Sequence, residues 1–129
     1  MTRRTAAVAL APLFALMAAA CGGGSSTPTT APEGVDVEVF AVDGIAWNTT
    51  TYRATAEDGE VTIFGSNNSG LQHNLHIQDG NGAEVTADFI DLPSRGSSGS
   101  LTVALEPGEY RIVCLVPGHQ KMNSLLVVS

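Results

Sequence analysis

The sequence predicts an all-β domain over residues 35–129, a two-sheet Greek-key sandwich of about seven or eight strands. Short segments in which apolar and polar residues alternate recur along this stretch. Clusters of Gly, Pro, Asn and Asp divide them at short intervals. No stretch offers a capped helical pattern of useful length. Aromatic residues make up only 5% of the chain while Gly, Ser, Thr and Val are plentiful, which suits a small β protein better than a helical bundle.

Val35 to Val39 alternates valine with Asp36 and Glu38, the pattern of a strand with one buried face. Thr51–Ala56 and Val61–Phe64 flank Glu57-Asp58-Gly59-Glu60, which predicts a hairpin turn. Leu71–Gln78 is closed by Asp79-Gly80-Asn81-Gly82. The segment from Ala83 to Gly99 shows no clear period and fits a short helix or an irregular loop. Leu101, Val103 and Leu105 alternate with Thr102 and Ala104. Glu106-Pro107-Gly108-Glu109 then fits a type II turn, proline fixing its own φ and Gly108 supplying a positive one. Tyr110–Leu115 and Leu125–Val128 complete the strands.

Residues 1–20 read as an export signal. Arg3 and Arg4 precede a small, apolar run from Ala6 to Ala20, shorter than the ~20 residues a permanent membrane span needs. Cys21 follows at once, and with the Gly22–Ser26 stretch it resembles the lipidation site of a bacterial lipoprotein. Ala18 stands where such signals usually carry leucine, and Ala18-Ala19-Ala20 equally satisfies the small-x-small rule of ordinary secretion. Residues 21–34 are mostly Gly, Ser, Thr, Pro and Ala, too polar and too flexible to pack, and read as a tether. The expected location is the outer face of the cytoplasmic membrane or the periplasm, with membrane contact only through a lipid on Cys21.

Past residue 20, Arg53, Arg95, Arg111 and Lys121 are the four basic residues against 13 acidic ones. That balance excludes a nucleic-acid binder, which must neutralise a row of phosphates. The acids Glu57, Asp58 and Glu60 suit solvent or the docking of a basic partner. Trp47, Phe64 and Phe89 read as packing residues. Asn48-Thr49-Thr50 and Asn67-Asn68-Ser69 match the glycosylation pattern, a match of little weight in an exported bacterial chain.

The chemistry gathers near the end of the chain. Cys114 is the domain's only cysteine, Met122 its only methionine, and His119 lies between them. Cys114 closes a strand, and Pro117-Gly118 predicts a type II turn that brings His119 back toward it. A second imidazole is available from His73, at the start of an earlier strand. His76 is its rival, but His73 shares a strand face with Leu75 and Ile77 whereas His76 shares the opposite face with Asn74. Thiolate and thioether favour Cu(I), and imidazole accepts either oxidation state, so the set suits copper; zinc also tolerates two histidines and a cysteine. Coordination further accounts for an unpaired thiol in an exported protein.

Three stretches resemble the cupredoxins, small blue copper proteins of the plastocyanin and azurin type: His73-Asn74-Leu75, Glu106-Pro107-Gly108-Glu109-Tyr110, and Cys114 through Met122. The resemblance implies one type 1 copper held by His73, Cys114 and His119, with Met122 as axial ligand. It implies that Asn74 braces the Cys114 loop, and that the exposed edge of His119 passes the electron. Two departures bear on Met122: Ser124 stands where relatives commonly have glycine, and only two residues separate His119 from Met122. The expected activity is one-electron transfer with redox protein partners, basic cytochrome-like proteins or an oxidase among them, by a monomer that is not an enzyme. A copper-binding lipoprotein for storage, delivery or sensing would use the same four residues. Copper enzymes built on such domains need further histidines, and this chain has three in all.

Overall fold

The computed structural model describes residues 30–129. The export signal (1–20), Cys21 and residues 22–29 of the tether lie outside the described residues. Nine strands follow one another: β1 Val37–Val42, β2 Ala46–Trp47, β3 Thr51–Ala54, β4 Glu60–Asn67, β5 His73–Gln78, β6 Ile90–Leu92, β7 Ser98–Ala104, β8 Gly108–Val113 and β9 Asn123–Val128. They form two mixed sheets, four strands in the order β2-β1-β4-β7 and five in the order β3-β9-β8-β5-β6. No helix occurs among the described residues.

Alternation builds the core. Val39, Ile63, Leu75, Ile77, Ile112 and Leu126 come from both sheets, and each is almost completely buried. Trp47 closes one side, its indole N–H donating to the Ile112 carbonyl at 3.2 Å. The sheets are tied again by Asn48, whose Oδ1 accepts both the Phe40 N–H and the Tyr52 hydroxyl, at 2.9 and 2.7 Å. Burial raises the Tyr52 pKa to about 12, so the hydroxyl stays a donor.

Four local expectations change. The strand count exceeds the expected seven or eight because β2 and β6, of two and three residues, are too short to display a period. The 83–99 segment holds no helix; it is mostly the irregular loop expected as the other possibility, with β6 set into it because Ile90 and Leu92 bury against the sheet while Asp91 points out. Gly108 does not take a positive φ, so its turn is not type II. Pairing with Val128 draws Gly108 into the extended start of β8.

The fourth concerns residues 57–60. The turn itself is tight: Asp58 and Gly59 have φ of 52° and 79°, and Glu57 and Glu60 exchange backbone hydrogen bonds of 3.0 and 2.9 Å. Yet it joins no hairpin. β3 runs parallel to β9 in one sheet, and β4 lies between β1 and β7 in the other. The turn carries the chain from sheet to sheet, because Tyr52 and Ala54 bury beside Leu126 and Val128. It also leaves Glu57, Asp58 and Glu60 at the start of β4, about 23 Å along that strand from Asn67 at its other end.

Gly65 and Gly99 pair across β4 and β7 and make room for Ile90 of the opposite sheet. A Cβ on Gly65 would already stand 3.2 Å from Leu75 Cδ1 and 3.3 Å from Ile90 Cδ1. Gly65→Val, with two further methyl groups to place, is expected to destabilise the protein by roughly 1–3 kcal/mol in urea unfolding.

Candidate metal centre

The loop from β8 to β9 is built by its own hydrogen bonds. Cys114 directly follows β8, and its N–H donates to the Met122 carbonyl at 3.1 Å, closing the loop at its base. Pro117 and Gly118 occupy the middle of a turn closed by the His119 N–H on the Val116 carbonyl at 3.0 Å. Gly118 has a φ of 88°, so this is the expected type II turn. The Met122 N–H then reaches the His119 carbonyl at 2.9 Å. Cys114, His119 and Met122 are thus held by the loop's backbone before any side-chain bond is counted.

His73 reaches the loop from the neighbouring strand. β5 pairs antiparallel with β8, His76 opposite Val113, so the start of β5 extends toward the residues that follow β8. His73 Nδ1 lies 3.9 Å from Cys114 Sγ, and His119 Nδ1 lies 3.6 Å from it. One ligand atom from each of the three residues falls within 4.8 Å of the others. All three are buried: His73 is 0% exposed, Cys114 3% and His119 8%. Met122, 1% exposed, belongs to the adjoining core.

These distances leave room for one ion. Bonds of ~2.0 Å to nitrogen and ~2.3 Å to sulfur, opened to 120°, separate the two donor atoms by about 3.7 Å. The observed 3.6 and 3.9 Å bracket that figure. A buried thiol, two imidazoles presenting the same nitrogen and a neighbouring thioether form a donor set that fits one type 1 copper.

The surroundings fix each group. Asn74 Oδ1 accepts the Leu115 N–H at 2.7 Å, bracing the loop beside Cys114. The second nitrogen of His73, Nε2, lies 2.6 Å from Ser69 Oγ. Trp47 walls the same imidazole, ring centroids 6.4 Å apart. Burial, and after it the neighbouring His119, pushes the His73 pKa below the usual histidine range. The unfolded chain therefore takes up a proton near pH 6.5 that the folded metal-free protein resists. Folding stability without metal is expected to fall as pH drops below about 6.5, by at most about 1.4 kcal/mol per pH unit, and to level off below the folded pKa. Urea unfolding from pH 7.5 to 4.5 measures the slope, which His73→Gln should flatten.

His76 stands apart from the three. Its Nδ1 pairs with Glu84 and its ring lies flat on Phe89, centroids 4.6 Å apart and planes 10° from parallel. It is more buried than a surface histidine because the chain folds back over it. Asp79 Oδ1 accepts the Asn81 and Ala83 N–H groups, and the Val85 N–H returns to the Ile77 carbonyl. Phe89, in turn, is no core residue: it is half exposed and acts as the cover of His76.

Two residues at the site escaped the sequence reading. Ser69 and Asn67 entered it only as a glycosylation match, whereas both are buried and bonded beneath His73. A polar residue at a strand end or in the loop after it carries no local sign that it will be buried.

No known family profile matches the chain, and no curated protein matches it in sequence. Solved structures do match in shape. An azurin from the obligate methylotroph Methylomonas sp. strain J superposes with a TM-score of 0.60 at 18% identity, covering 74% of this chain and 98% of its own. Auracyanin A, a "blue" copper protein from the green thermophilic photosynthetic bacterium Chloroflexus aurantiacus, gives 0.56 at 24%, covering 74% and 100%. A purple cupredoxin from Nitrosopumilus maritimus gives 0.57 at 19%, covering 73% and 100%. The described residues have the cupredoxin fold.

Proposed function

We propose that this chain is a small one-electron carrier that binds one copper as a type 1 centre. His73, Cys114 and His119 would hold the ion and Met122 would serve as the weak axial ligand. One observation carries the reading: two buried imidazoles direct Nδ1 at a single buried sulfur, at 3.9 and 3.6 Å, at one end of a cupredoxin-fold sandwich. That auracyanin A, with the same fold, is described as a blue copper protein supports it. Copper supplies one-electron exchange between its two oxidation states.

The chain's own residues do the rest. Asn74, the type II turn and the closing bond between Cys114 and Met122 keep the donors in place, so little has to move when the charge changes. Burial keeps water from the sulfur, which protects it from oxidation. Of the two histidines His119 is the less buried, with a narrow edge at the surface, and it is the route by which electrons would pass. Leu115, next to Cys114, and Leu71, two residues before His73, are among the few large apolar side chains left exposed. They offer a redox partner an apolar contact at this end of the molecule. The net charge of −7 favours basic partners, cytochrome-like proteins or an oxidase among them, by long-range attraction. The acids at residues 57–60 lie at the far end of β4 and would act only at that range. We place the carrier outside the cytoplasmic membrane, tethered through Cys21.

The test is the visible spectrum after one equivalent of Cu(II). An intense blue, green or purple thiolate band that reductant bleaches and oxidant restores is expected. A pale solution, or copper lost on reduction, would favour storage or delivery instead, and tight zinc binding without colour would point to zinc. Met122→Leu should keep copper and raise the reduction potential, since a thioether stabilises Cu(II) more than an alkyl group does. Voltammetry of the two proteins checks the direction, and loss of all copper would remove Met122 from the axial role.

A further inference from the structure

We propose that Ser69 is the positioning residue of His73: its hydroxyl receives the Nε2–H that His73 must carry when Nδ1 faces a metal. The inference rests on the copper-binding reading above and adds a residue to it. A neutral imidazole has one N–H and one free lone pair, so coordination through Nδ1 places the hydrogen on Nε2. In a residue 0% exposed that hydrogen needs an acceptor inside the protein. Among the described residues, Ser69 Oγ, 2.6 Å away, is the acceptor in place. Its own hydrogen is free to point elsewhere, because the Leu71 carbonyl oxygen lies 3.3 Å from Ser69 Oγ and can accept it. The Leu71 N–H also donates to Ser69 Oγ, at 3.2 Å. With the hydroxyl hydrogen on that carbonyl, every polar atom of the pair has a partner, and the coordinating nitrogen is left bare.

The loop is built to keep Ser69 there. Asn67, at the end of β4, accepts the Ser69 N–H on Oδ1 at 2.8 Å and donates from Nδ2 to the Leu71 and Leu92 carbonyls at 2.7 and 3.0 Å. On the outer side Arg95 bonds the Asn68 carbonyl and pairs with Asp43, whose Oδ1 also accepts the Gly70 N–H. His73 is thereby anchored from the four-stranded sheet, while Cys114 and His119 belong to the loop between β8 and β9. Orienting a ligand histidine through its second nitrogen is a general device of metal sites, and its loss costs roughly 10–100-fold in affinity.

The test compares the full chain with Ser69→Ala, Ser69→Thr and Ser66→Ala. Ser66 is a neighbouring buried serine whose hydroxyl has no partner among the described residues, so it controls for simple loss of a buried hydroxyl. The zinc-loaded proteins are diamagnetic, and nitrogen-15 correlation spectra through the imidazole report which nitrogen of His73 carries the proton and whether that proton is protected from exchange. A protected Nε2–H is expected in the parent, in Ser66→Ala and in Ser69→Thr, which keeps the hydroxyl. In Ser69→Ala it should exchange rapidly, with Cu(II) affinity down roughly tenfold or more while the metal-free protein still melts cooperatively. Equal protection and affinity in Ser69→Ala, or the same loss in a folded Ser69→Thr, would overturn the role of Ser69 and leave the copper reading standing. A parent protein whose His73 Nδ1 does not meet the metal would overturn the copper reading itself.

Discussion

Cys114→Ser is expected to abolish the intense visible band completely. The colour of such a site requires a thiolate bonded to copper, and a serine hydroxyl is not ionised near neutral pH. The substitution removes the atom toward which both imidazoles point, at 3.9 and 3.6 Å. What remains is two imidazoles and the Met122 thioether, a harder and weaker donor set that would hold Cu(II) as a pale centre and lose the softness that suits Cu(I). The metal-free variant should stay folded, because serine is smaller than cysteine and the backbone bond that closes the loop, from the residue 114 N–H to the Met122 carbonyl, is unchanged. Absorption and electron paramagnetic resonance on one equivalent of Cu(II) check the outcome. A surviving intense band would mean that another group binds the metal, and the assignment would fall.

The second large effect concerns stability. Asn67→Ala is expected to destabilise the protein by about 3 kcal/mol, measured by urea unfolding of the metal-free form. The side chain is 0% exposed and uses all three of its observed bonds on backbone: the Ser69 N–H and the Leu71 and Leu92 carbonyls. Ser69 and Leu92 are themselves almost fully buried, so their backbone groups would lose a partner where water does not replace it, at ~1–3 kcal/mol each. Leu71 is half exposed, and water can take over its carbonyl. Copper affinity should fall as well, because the loop that presents Ser69 to His73 loses its anchor. An unfolding free energy within about 0.5 kcal/mol of the parent would show that these groups find other partners.

The readable parts of this molecule are those governed by neighbours in the chain. β1 and β7 announced themselves because alternation is a property of a few consecutive residues, and β9 because Leu125–Val128 is a short apolar run of branched residues. The Pro117-Gly118 turn did so because proline and glycine determine their own torsions, and it keeps Cys114, His119 and Met122 within nine residues of chain. His73 is different. Its place on the core-facing side of β5 follows from alternation, but its meeting with Cys114, 41 residues away, depends on β5 pairing with β8. Strand periodicity favoured His73 over His76, and the resemblance to cupredoxins put it in one ligand set with Cys114.

Tertiary structure decided the rest, and for one reason. Which strand lies beside which is settled by the burial of whole faces, a sum over distant residues that no local window contains. So the 57–60 turn, correctly recognised, joins two sheets instead of forming a hairpin, because β3 gains more by lying along β9. Gly108 is extended because β9 claims it. His76 is covered because residues 79–89 return over it. Ser69 and Asn67, unremarkable as letters, become the floor beneath His73 once β4 and β5 are brought together around them. The composition and order of the chain alone determine an all-β sandwich with a soft donor set near its end; the long-range pairing of the sheets decides which side chains surround those donors, because hydrogen bonds to a buried imidazole form only after the strands that carry them have packed.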